Sequence, residues 1–178
     1  MTMLIQAERA LNRFSDFLGS VSAILFVLML VNVFIDVVMR YAFNDVSIAM
    51  QEMEWHLFAA MFMLGVPYTL KAEGHVRVDL IFEQLPLKAQ AWIDIFGCLL
   101  LLLPFSLLVG YYGLGFTYEA FDLGETSGDP GGLTNRWIIK AVIPFAFFAT
   151  AIAGLGMIVS RINELRGVKH DHNKQVSL

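Results

Sequence analysis

The residues able to do chemistry are few and scattered. Asp36 and Arg40 stand four apart, as do Glu52 and His56, spacings that put each pair on one face of a helix. A carboxylate at mid-membrane would carry a proton or an ion, and histidines facing each other inside a helical bundle would ligate haem. Neither pattern is met. Asp36, Glu52, Glu54, Asp94 and Lys140 all fall toward the ends of apolar runs, where water or headgroups reach them. His56 lies near one such end, His75 in a polar connector, and His170 and His172 in the terminal segment, where a solvated tail is a better reading than a metal site. Cys98 is the single cysteine, so a disulfide within the chain and a cysteine metal cluster are both excluded. There is no nucleophile beside a base and no basic surface for nucleic acid, and GDPGGLTNRW (128–137) lacks the lysine of a phosphate-binding loop. The expectation is a chain that is not an enzyme and holds no cofactor or metal.

The elements that carry these groups are built for lipid. Of 178 residues, 57% are hydrophobic, and the mean hydropathy is +0.65. Four runs lack Asp, Glu, Lys and Arg for about the 20 residues that a hydrocarbon core demands: Phe17–Ile35, Trp55–Leu70, Ile95–Tyr118 and Ala141–Ser160. The first is longer than a signal-peptide core and lacks a small-residue cleavage pattern before Arg40, so it reads as a permanent span.

The expected fold is all-α and membrane-integral, one domain over 1–178, with four transmembrane helices. Helix 1 is expected at about 16–39, helix 2 at 47–72, helix 3 at 87–113 and helix 4 at 135–162, followed by a mobile tail over 167–178. An amphipathic segment precedes helix 1, with Leu4, Leu11 and Phe14 set against Glu8, Arg9 and Arg13. A second, over 73–86, connects helices 2 and 3; its pattern fits a helix or a strand. Ser47 is a candidate N-cap for helix 2, and Thr134 or Asn135 for helix 4. Lysine and arginine number nine on the side of the termini and the connector against three on the other, so both termini are expected in the cytoplasm. Trp55, Trp92 and Trp137 fall near helix ends, as interfacial anchors do. Small residues such as Ala59, Gly65, Ala146, Ala149, Ala153 and Gly156 allow close helix contact, equally within the bundle or with a partner.

Three pieces occur in order: RYAFN (40–44), QEMEW (51–55), and HVRVDL (75–80) with LP (85–86). Together they resemble the small membrane subunit of tripartite ATP-independent periplasmic (TRAP) transporters, the Q-type or DctQ-like permease, over the full chain. GDPGGLTNRW further resembles a branch that includes transporters of mannitol, chloroaromatic compounds and 2-oxo acids. The resemblance implies an inner-membrane scaffold subunit for sodium-coupled uptake of an organic acid. A periplasmic substrate-binding protein would deliver the acid to a large M-type elevator subunit, which would hold the sodium sites. The implied partners are that large subunit, the binding protein and membrane lipids, with no nucleic acid. The motif positions fall on Arg40, His75, Arg77 and Asp79, to which Trp55, Trp92, Arg136 and Trp137 add candidate structural or interface residues. The family's paired acids fall on Glu52 and Glu54, where Met53 intervenes and both assignments stay open. An autonomous small oligomeric channel or exporter is the competing reading.

Overall fold

The computed structural model describes residues 2–72, 82 and 84–166, and among them all regular structure is helical. Helix α1 spans Thr2–Ala42, α2 Ile48–Lys71, α3 Leu87–Gly97, α4 Leu103–Asp122 and α5 Trp137–Leu165. A π-helical turn over Cys98–Leu102 joins α3 to α4 without a break.

The amphipathic start and helix 1, expected as separate pieces, form one 41-residue helix. No proline or glycine stands between Leu4 and Phe17, and the Ser15 and Ser20 hydroxyls donate back to the carbonyls of Leu11 and Asp16. Asn44 ends it by taking φ 52°, a left-handed conformation that asparagine tolerates. Ser47 caps α2, its hydroxyl accepting from the Met50 N–H at 3.4 Å. Helix 3, expected to end near residue 113, continues as α4 to Asp122 because the tyrosine-rich end keeps its backbone ladder. Neither expected cap of the last helix operates: α5 begins at Trp137, and Asn135 instead takes φ 58° in the preceding turn. Most of the 73–86 connector and the tail over 167–178 lie outside the described residues.

Among the described residues, three stretches are long and apolar enough to cross a membrane: Leu4–Ala42, Leu87–Asp122 and Trp137–Leu165. The fourth expected span, α2, falls outside this set. Gln51, Glu52, Glu54 and His56 crowd its first turns, and Pro67 and Lys71 occupy its last.

α5 is the centre of the bundle and touches each of the other four helices described. Its small side chains make this possible: Ala146, Ala149, Ala153, Gly154 and Gly156 are all buried. Their two possible uses are thereby separated, since these residues of α5 serve the bundle's own packing. Leu18 and Leu64 join Ala146 and Ala149 in the core, flanked by Phe14, Val21, Leu25, Met63 and Val142. The Pro144 ring lies against Gly113, where an added Cβ would come within 3.2 Å of its Cδ. α1 and α2 run antiparallel, tied by Ser22 to the Met61 carbonyl at 2.7 Å and by Asn32 to the Met50 carbonyl at 2.9 Å. Gly19 holds this pair close, since a Cβ there would stand 2.6 Å from Cδ2 of Tyr68. Gly19→Val is therefore expected to destabilise the chain by about 1–3 kcal/mol, the usual cost of overpacking, seen as a lowered melting temperature in detergent. An unchanged melting temperature would mean that the Tyr68 ring swings aside freely.

Candidate functional site

Polar side chains gather at the two ends of the bundle. At one end the segment between α4 and α5 is fastened by two carboxylates. Glu52, in the first turns of α2, accepts from the Ser127 hydroxyl and, at 2.7 Å, from the Leu133 N–H. Ser127 also accepts from the Asp129 N–H at 3.1 Å, and its own N–H donates to the Leu133 carbonyl at 2.9 Å. Gly132 has no room for a side chain, because an added Cβ would stand 2.5 Å from Ser127 and 2.9 Å from Glu52 Oε2. Gly131, at φ 83°, supplies the left-handed turn beside it. Glu52 precedes the uncharged run that begins at Trp55, and the Ser127 hydroxyl and then the Leu133 amide hold its carboxyl below the usual carboxylate range.

The second carboxylate is Glu125. It pairs with Lys140 and, at 4.0 Å, with Arg136, while its carbonyl takes the Arg136 N–H at 3.1 Å. Lys140 also sits 4.0 Å above the Phe116 ring, and Trp137 meets Phe121 edge to face at 5.4 Å. Glu125 is thus engaged at the start of α5.

The other sequence candidates divide. Arg40 pairs with Asp36 on α1, as their spacing requires. Glu54 makes none of the contacts that fasten Glu52, so the two acids, interchangeable by sequence, differ by structure. Trp55 is 74% exposed, and Trp92 is 52% exposed and stacked on Phe96. His75, Arg77 and Asp79 lie outside the described residues. Sequence reading missed Ser127, Gly132 and Leu133; the Gly-Asp-Pro-Gly-Gly run signalled a turn but not its anchor.

At the opposite end, ion pairs join helices distant in sequence. Arg161 of α5 holds Asp94 of α3 at 2.8 Å and Glu164 at 2.8 Å. Asn163 donates to the buried Glu8 carboxylate at 2.7 Å, and Lys71 meets Asp16 at 2.5 Å. Apart from Asp36–Arg40 and Arg161–Glu164, which pair within one helix, these groups fasten helices to one another or to a loop. Such an arrangement stiffens a bundle at both faces and leaves its apolar middle to packing.

Comparison with known proteins agrees in kind. The family described as Tripartite ATP-independent periplasmic transporters, DctQ component, matches residues 28–164. A protein of Haemophilus influenzae, named as a TRAP transporter small permease protein, is 28% identical over 128 residues, 72% of each chain.

Proposed function

Because the chain belongs to the DctQ component family of tripartite ATP-independent periplasmic transporters, we propose that it is the non-catalytic small membrane subunit that braces a large elevator-type subunit. In this reading the large subunit holds the sodium and substrate sites, and a periplasmic binding protein delivers an organic acid to it. The chain lies in the inner membrane with four crossings, α2 passing through by its uncharged Trp55–Leu70 stretch and both termini in the cytoplasm. The excess of lysine and arginine on the side of the termini supports that orientation. The outer face then carries the loop held by Glu52, and the inner face the Asp94–Arg161 pair.

One observation carries the bracing role: among the described residues, the charged contacts between elements lie at the two ends, where they join helix to helix or helix to loop. A moving domain works against a part that does not move, and exposed Trp55 and Trp92 suit interfacial anchorage of that part. His75, Arg77 and Asp79 are proposed to support assembly at the inner surface, and Arg136 and Trp137 at the outer one.

The test is co-expression with the large membrane subunit of such a transporter. Affinity purification of this chain is expected to recover that subunit, and reconstituted uptake is expected to need both chains, the binding protein and a sodium gradient. Sodium-driven uptake by this chain alone would overturn the proposal in favour of an autonomous carrier. Uptake by the large subunit alone, at the full rate, would overturn the bracing role.

A further inference from the structure

A groove of about 950 Å³ opens between α2, the π turn and α5, walled by Phe62, Leu101, Phe105 and Phe147, with Gly97 and Ser106 also lining it. Ser106 is only 2% exposed, yet its hydroxyl enters no hydrogen bond among the described residues. That sets it apart. Ser15, Ser20, Thr69, Thr117 and Thr150 each donate to the carbonyl four residues earlier, the usual way a hydroxyl is satisfied in an apolar helix. For Ser106 that carbonyl belongs to Leu102, the last residue of the π turn.

Ser106 lies near the middle of the Leu87–Asp122 stretch, at hydrocarbon depth when that stretch crosses a bilayer. Two kinds of occupant exist there, lipid tails and another protein's helix. A lipid tail offers no acceptor, and a hydroxyl in an apolar medium costs free energy until it finds one. A helix brings carbonyl oxygens and polar side chains, and hydrogen bonds from serine across helix contacts are a recurring feature of membrane bundles. Gly97 adds a second reason: an added Cβ there meets nothing within 4 Å, so its bare backbone leaves room for a neighbouring helix to come close.

We infer that this groove receives a transmembrane helix of the transporter's large membrane subunit, with the Ser106 hydroxyl donating across the contact. The inference rests on the bracing role proposed above and names the face that performs it.

The experiment uses the co-purified complex. A photo-crosslinking residue at Leu101 or Phe105 is expected to capture the large subunit, whereas one at Phe26 or Val27, exposed on α1, is expected to label lipid. Ser106→Val is expected to lower recovery of the large subunit about threefold, with Ser106→Thr restoring it, in line with the modest strength of hydrogen bonds between membrane helices. Gly97→Phe, whose Cβ meets nothing within 4 Å, is expected to lower recovery about tenfold by filling the groove, with the melting temperature of the isolated chain unchanged. The inference is overturned by groove probes that label only lipid, by capture from α1 instead, or by undiminished recovery with Gly97→Phe. Failure of the wild-type chain to recover any large subunit would overturn the bracing role itself, so the two failures are distinguishable.

Discussion

Arg161→Ala is expected to destabilise the folded chain by about 3 kcal/mol, the low end of the scale for breaking a largely buried ion pair by removing one partner. The side chains of Asp94 and Arg161 are 7% and 13% exposed, and their 2.8 Å contact joins α3 to the central helix. Removing the guanidinium also releases Glu164 one turn on and strips packing from the arginine stem. Chemical unfolding in detergent measures the loss. A double-mutant cycle with Asp94→Asn then reads the coupling: strongly non-additive effects are expected, and simple additivity would mean that the two groups act independently. The consequence for function follows from topology. α5 touches all four other helices, so a weakened α3–α5 contact loosens the bundle at one face.

Glu52→Ala is the second large effect, and it appears at the other face. The variant deprives both the Ser127 hydroxyl and the Leu133 N–H of their acceptor, and these are the contacts by which α2 holds the α4–α5 loop. Hydrogen exchange at Leu133 is expected to quicken about tenfold, as suits loss of a hydrogen bond to a charged acceptor. Glu54→Ala, two residues on, is expected to leave it unchanged. Acidification should imitate the first variant. The folded carboxyl of Glu52 titrates below its unfolded value, so its contribution is complete above the ordinary carboxylate range and is lost as pH falls through the lowered folded value. Equal exchange in both variants would show that the loop stands without its anchor.

The contrast between these acids shows what could be read from the chain and what could not. Uncharged runs of sufficient length announce helices because lipid leaves the backbone no other partner, and the runs within α1, α3–α4 and α5 follow that rule. Ends are harder. Tyr111, Tyr112 and Tyr118 are of the type that gathers at membrane interfaces, but aromatic residues do not stop a helix, and α4 continues until Asp122. The amphipathic start of α1 looked like a separate piece because its polarity changes near Asp16, although nothing there interrupts the backbone. Glu52 and Glu54 have the same chemistry, and only the placement of Ser127 and Leu133, 75 and 81 residues away, distinguishes them. The π turn was invisible for a related reason: five successive leucines carry no mark of which carbonyl skips its usual donor.

The single-piece construction of α1 has a mechanical outcome. Forty-one residues at 1.5 Å each make a rod about 60 Å long, twice the roughly 30 Å of a hydrocarbon core. A rod of that length must overhang the oily layer or lean steeply within it. Its Glu8 end is fastened to Asn163, and its Asp16 turn to Lys71. Torque applied to the overhang is therefore not dissipated at a joint but passes directly into α2 and α5, which makes the first residues a handle by which the attitude of the whole bundle in the bilayer is set.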